Sequence, residues 1–161
     1  MQIKILTTGG TIDKVYYDAL SDYRIGEPAA TELMAQAGVS CQYSIESLLR
    51  KDSLDMDDAD RALIRDHIRA DDCSRFVITH GTDTMIETAR VLEDLHDRTI
   101  VLTGAMQPAR FRDTDAAFNL GGAVALAQTL TAGVYIFMNG RVFNPAQAIK
   151  NRAAGQFQER T

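Results

Sequence analysis

The sequence predicts an α/β domain of three layers around a mainly parallel sheet, with an active site at the carboxyl ends of the strands. Three observations carry that reading. Short apolar runs alternate with helical patterns from end to end, as a chain of strand–helix–strand units requires. Two of the runs, Ile3 to Leu6 and Phe76 to Ile78, lead directly into loops rich in glycine and small hydroxyl residues, Thr7-Thr8-Gly9-Gly10-Thr11 and Thr79-His80-Gly81-Thr82-Asp83-Thr84. Ligands of parallel sheets bind outside the carboxyl ends of the strands, so two such loops on nearby strands would face one crevice. The composition, 45% hydrophobic and 24% charged over 161 residues, is that of one globular domain with a real core.

The elements follow in order. After the first strand, Asp13 to Gly26 is polar, carries Tyr16, Tyr17 and Tyr23, and is too long and irregular for a tight connection. A structureless loop of that length reads as a lid or binding loop. Pro28 suits the first turn of a helix and Gly38 its end. Val39 to Leu48 alternates loosely, as a second strand would. Asp57 is placed to cap the next helix, with Leu63, Ile64 and Ile68 on one face. A further helix is expected from Thr84 to Leu95, then a strand from Thr99 to Leu102 leading into the loop Thr103-Gly104-Ala105-Met106-Gln107-Pro108. The segment from Thr114 to Leu130 is rich in Ala and Gly, which lets a helix lie close to the sheet. Val134 to Met138 is the last parallel strand, and Asn139-Gly140 suits a tight turn into a hairpin strand at Arg141 to Phe143. No repeat, low-complexity tract or linker interrupts the series, so residues 1–161 read as a single domain.

Charge and composition narrow the function. A net charge of −5 with scattered basic residues argues against a nucleic-acid partner, which requires clustered Lys and Arg. No apolar stretch approaches the roughly 20 residues of a membrane span, and the N-terminus has none of the features of a signal peptide, so a cytoplasmic location away from membranes is expected. Cys41, Cys73, His67, His80 and His96 are dispersed without metal-type spacing, so neither a disulfide framework nor a metal centre is expected.

The two glycine-rich loops carry the candidate chemistry. Thr11 follows two glycines that permit close backbone approach to a ligand. Its hydroxyl is a weak nucleophile unless a neighbour takes the proton, and Tyr16, Tyr17 and Tyr23 lie just downstream. In the second loop Asp83 can hold an amine and Thr82 can orient a water, although either residue would also serve as a helix cap.

Taken together these segments resemble the bacterial-type L-asparaginases, the threonine-dependent amidohydrolases. The resemblance runs through Thr8-Gly9-Gly10-Thr11-Ile12, Val77 to Ala89, Val101-Leu102-Thr103-Gly104-Ala105-Met106 and Phe118-Asn119-Leu120. It covers the larger, N-terminal domain of that family only, as in the short, single-domain forms of the Rhodospirillum type. It implies hydrolysis of L-asparagine to L-aspartate and ammonia, with Thr11 as nucleophile, an acyl-enzyme, and no metal or organic cofactor. Backbone N–H groups near Gly10, Thr11 and Thr82 would hold the oxyanion. Thr82, Asp83 and Lys150 match the family's second Thr-Lys-Asp group, Asp83 also binding the substrate ammonium. Ser53 matches the serine that holds the α-carboxylate, and Leu54 stands where the family commonly has glutamine. The lid tyrosine corresponds to Tyr16 or Tyr23. A homodimer or homotetramer is implied, while no residue here matches the glutamate that a second domain sends to a neighbouring subunit. L-Glutamine or another amide as substrate, and a non-catalytic amino-acid-binding module, are the alternatives. Nucleotide binding at the first loop is disfavoured, because neither G-x-G-x-x-G nor a Walker lysine pattern is present.

Overall fold

The computed structural model describes residues 1–160. A six-stranded sheet has the order β4-β1-β5-β6-β7-β8. Its strands are β1 (Gln2–Gly9), β4 (Gln42–Lys51), β5 (Arg75–Thr79), β6 (Thr99–Thr103), β7 (Gly133–Met138) and β8 (Arg141–Phe143). All neighbours are parallel except β7 and β8, whose hairpin turns on Asn139 in a left-handed conformation (φ 54°) followed by Gly140. This is the mainly parallel α/β architecture expected from the sequence.

Alternation along the strands divides the core between two faces. Leu6, Phe76, Ile78, Ile100 and Leu102 point to the side covered by α2 (Asp58–Ala70) and α3 (Met85–Val91). Ile3, Ile5, Val77 and Val101 point to the other, covered by α1 (Ala29–Gln36) and α4 (Ala116–Thr129). Both faces are buried, which is why the central strands read as continuous apolar runs and not as alternating ones. Asp57 caps α2 as expected and in reciprocal form: its carboxylate accepts from Asp60 N–H (2.9 Å) and its own N–H donates to the Asp60 carboxylate (3.1 Å).

Several boundaries differ from the sequence reading. The segment after β1 is an ordered antiparallel hairpin, β2 (Lys14–Tyr17) with β3 (Asp22–Ile25), closed through Ser21 at φ 48°. Its residues pair across two strands, so the irregular loop expected there is corrected to a regular element. Helix α3 stops at Val91, where Leu92, Glu93 and Leu95 N–H groups bond three residues back and tighten the chain into turns. Gly38 and Val39 close α1 by bonding back to Ala35 and Met34, so β4 begins at Gln42 and not at Val39. A second hairpin, β9 (Ala148–Asn151) with β10 (Gln156–Glu159), was not anticipated.

Candidate active site

Strands β1 and β5 are neighbours, but the connection from β1 leaves towards β4 and that from β5 towards β6. Oppositely directed connections open a crevice between two adjacent loops, the usual ligand position in an open α/β sheet. Residues Gly9 to Asp13 follow β1 and His80 to Asp83 follow β5, at the ends of the two strands that flank that position.

Glycine is what lets the loops meet. A Cβ on Gly10 (φ 84°) would lie 2.4 Å from both Cα and N of Gly81, and a Cβ on Gly81 would lie 2.5 Å from Ser53 Oγ. A Cβ on Gly9 would lie 2.5 Å from Lys51 O, and one on Gly104 would lie 2.3 Å from His80 O. The loops after β4, β1, β5 and β6 are therefore in backbone contact, side by side. Two hydrogen bonds fix the stack, Gly10 N–H to Lys51 O (2.9 Å) and His80 N–H to Thr103 O (2.8 Å). Thr11 and Thr82 each directly follow a glycine of this contact, on the two loops that meet there.

Thr11 opens a short 3₁₀ turn, Thr11–Asp13, and is partly exposed. Its hydroxyl makes no hydrogen bond among the described residues. Thr82 is 5% exposed and accepts from Lys150 Nζ at 2.8 Å, while the same ammonium lies 2.9 Å from Asp83 Oδ1. Lys150 belongs to β9, where its register partner is the buried Phe157, whose N–H donates to the Asn139 side chain (2.8 Å). The second hairpin is thus pinned beneath the site and its lysine side chain is only 15% exposed. A residue that sequence alone would leave on the surface is committed to the Thr82–Asp83 pair.

His80 is fully buried and belongs to the scaffold. Its Nδ1–H donates to Gly81 O (2.7 Å), which leaves Nε2 to accept from the Thr88 hydroxyl (2.8 Å). Burial holds the ring neutral, with its pKa lowered to about 4. Asp13 is also buried and accepts from Ala29 N–H (2.8 Å), while its carbonyl accepts from Gly26 N–H (2.7 Å). Burial raises its pKa to about 6, against the smaller opposing effects of the Ala29 bond and the Arg50 charge.

Other expected site residues occupy less simple positions. Ser53 is buried against Gly81 with its hydroxyl unpartnered, and its carbonyl accepts from the Thr84 hydroxyl (2.7 Å). Leu54 is 63% exposed. Tyr16 and Tyr23 face each other across the first hairpin, rings 5.5 Å apart, and both are exposed. Tyr23 also touches Phe111 and lines an open cleft of ≈ 420 Å³ with Lys14, Lys51 and Asp52, which Tyr16 does not. The Gly10 N–H donates to Lys51 O.

One charged residue was missed. Arg152 Nη2 lies 3.4 Å from Asp83 Oδ1, the oxygen that already accepts from Lys150. Arg152 lies in the turn just past β9, a position that no local pattern marks.

Comparison with known proteins identifies the family. Residues 2–158 match the family model described as Asparaginase, N-terminal. The chain belongs to the asparaginase family. L-asparaginase 2 of Escherichia coli is 35% identical over 161 residues, spanning 92% of this chain and 46% of its own length. The glutaminase-asparaginase of Acinetobacter glutaminasificans is 34% identical, over 88% of this chain and 47% of that protein. The solved structure of a probable cytoplasmic L-asparaginase from Campylobacter jejuni superposes with a TM-score of 0.78 at 30% identity, covering 98% of this chain and 51% of that one. This asparaginase-family chain thus spans about half the length of the relatives it matches.

Proposed function

We propose that the protein hydrolyses L-asparagine to L-aspartate and ammonia, with Thr11 as nucleophile. The observation that supports this reading is the lysine–threonine–aspartate cluster of Lys150, Thr82 and Asp83, on a loop whose Gly81 touches Gly10, the residue before Thr11. Thr11 Oγ attacks the carboxamide carbon as its proton passes to a neighbouring base. The C–N bond breaks, nitrogen leaves as ammonia, and an ester to Thr11 remains. Water oriented at Thr82 then cleaves the ester, releasing aspartate and restoring the hydroxyl. Tyr16 or Tyr23 serves as the proton acceptor on the first hairpin.

The N–H groups of Thr11 and Thr82 stabilise the oxyanion in this scheme, each such donor being worth roughly 3 kcal/mol. Asp83 takes the substrate ammonium as a charge-assisted hydrogen bond. Ser53 takes the α-carboxylate after a small opening of the Ser53–Asp55 turn, because its hydroxyl is otherwise sealed against Gly81. No metal or organic cofactor enters any step. We further propose that residues 1–161 form a single asparaginase N-terminal-like domain and that the protein is a cytoplasmic homodimer or homotetramer.

Ammonia release from L-asparagine tests the reading. The parent is expected to turn over, Thr11→Ala to be inactive, and Lys150→Met to lose about 10²- to 10⁴-fold in kcat, the usual range for a group that moves protons. A folded parent that releases no ammonia refutes it. L-Glutamine is the second substrate to test, because Leu54 is exposed where the family commonly has glutamine and one relative is named a glutaminase-asparaginase.

A further inference from the structure

The acidic group proposed to receive the substrate ammonium already carries two cations of this chain. Lys150 and Arg152 both approach Asp83 Oδ1, at 2.9 and 3.4 Å. They differ in how firmly they are held. The Lys150 side chain is 15% exposed and also bonded to Thr82, so removing it would break the cluster. The Arg152 side chain is 69% exposed and meets no other acid among the described residues. Its backbone is fixed by the turn, in which Gly155 N–H bonds Arg152 O (3.3 Å) and Ala154 N–H bonds the Asn151 side chain (3.1 Å). Only the guanidinium end is free to swing away. The other basic groups around the cleft are engaged elsewhere, Lys14 with Asp52 (2.7 Å), Lys51 with Asp60 (2.8 Å) and Arg50 with Glu27 (2.6 Å).

We infer that Arg152 is a specificity-determining residue that competes for the Asp83 carboxylate with the α-ammonium group of any amino-acid ligand. Resting on the asparaginase reading for the role of Asp83, this assigns the site an internal competitor. A ligand lacking the amino group leaves the Arg152–Asp83 contact as it is, whereas an amino-acid ligand shares the Asp83 carboxylate with Arg152 and weakens that contact. Arg152 therefore narrows the preference for amino acids over the corresponding des-amino acids.

Two ligand pairs isolate this effect, because the members of each differ only in the ammonium. They are L-aspartate against succinate, measured by calorimetric binding, and L-asparagine against succinamate, measured as kcat/KM. An exposed ion pair is worth little, so Arg152→Ala and Arg152→Gln are expected to shift both ratios towards the amino acid by about two- to fivefold. Arg152→Lys should return the ratios most of the way to the parent values. Arg141→Ala, which removes a charge paired to Glu159 on the neighbouring hairpin, should leave them unchanged. Unchanged ratios in the Arg152 variants, a shift towards the des-amino ligands, or a parent that binds neither L-aspartate nor succinate would overturn the inference. Failure of asparagine turnover with the aspartate-to-succinate shift intact would instead refute the catalytic reading and leave Arg152 as the competitor.

Discussion

Replacing Gly10 by alanine tests the contact on which the whole site depends. The residue sits at φ 84° and ψ −173°, a region that is essentially glycine-only and costs a side-chain-bearing residue of order 1 to 3 kcal/mol. The new methyl group would also lie 2.4 Å from Gly81 Cα and N. Those are backbone atoms, so no rotamer change relieves the clash and β1 and β5 loops must part, an overpacking cost of about 1 to 3 kcal/mol. The sum, about 2 to 6 kcal/mol, is a large share of the 5 to 15 kcal/mol typical of a folded domain. For a chain of this size it corresponds to a fall in Tm of about 5 to 20 °C. Urea unfolding followed by circular dichroism gives the loss directly. Gly38→Ala supplies the reference, since Gly38 has φ 58° with nothing within 4 Å of its Cβ position and so reports strain alone, about 1 kcal/mol. Gly121→Ala, in open space on α4, should stabilise by up to about 1 kcal/mol. A loss in Gly10→Ala no greater than that in Gly38→Ala would show that the two loops do not touch, and would remove the reason for placing Thr11 beside Thr82.

Two further perturbations have signs set by the structure. Asp13 binds its proton more tightly folded than unfolded, so its contribution to stability falls as pH rises from about 4 to about 6; His80 behaves oppositely, costing stability as pH falls from about 6.5 to about 4. Each amounts to about 3 kcal/mol, so the parent should be nearly flat across that window while Asp13→Asn loses about 3 kcal/mol between pH 7 and pH 4.5, read from urea midpoints; a variant as flat as the parent contradicts the assignment. Asp57→Ala removes both bonds of the α2 cap and should cost about 1 kcal/mol in the same measurement, a cost near zero meaning that the cap is not formed in solution.

The parts of the fold that the sequence disclosed are those whose side chains are buried on both sides. Phe76 to Ile78 and Ile100 to Leu102 announce themselves because no polar residue interrupts them, and Asp57 does so because a cap must stand next to its helix. The two hairpins were hidden for the converse reason. Tyr16, Tyr17 and Tyr23 are exposed, so β2 and β3 show no buried stripe to betray a period of two. In β9 and β10 only Ala148 and Phe157 are buried, within strands of four residues each. Pairing across those hairpins is set by partners distant in sequence, such as Asn139 holding Phe157, which no local pattern contains. The candidate site followed the same division. Thr11, Thr82 and Asp83 lie in loops that immediately follow buried strands, whereas Lys150 was placed by family resemblance and Arg152 was not placed at all.

The β9–β10 hairpin explains how Lys150 reaches the Thr82–Asp83 pair. Asp83 and Thr82 sit on a loop whose position is fixed by β5, but their lysine arrives from nearly 70 residues further along. Bringing it there requires an anchor, and the hairpin supplies one at each level: Phe157 in the core, the Asn139 side chain on Phe157 N–H, and Arg160 N–H on Gln147 O (2.8 Å). Because the anchor lies in the core and not in solvent, Lys150 keeps its place independently of anything that covers the mouth of the crevice. The residues at that mouth have no such anchor. Arg152 and Leu54 are both exposed, so the proposed substrate choice rests on groups free to move, while the proposed chemistry of the Lys150–Thr82–Asp83 cluster does not. Substitutions at the mouth should therefore alter KM and selectivity with little loss of fold, and substitutions in the glycine stack should alter both together.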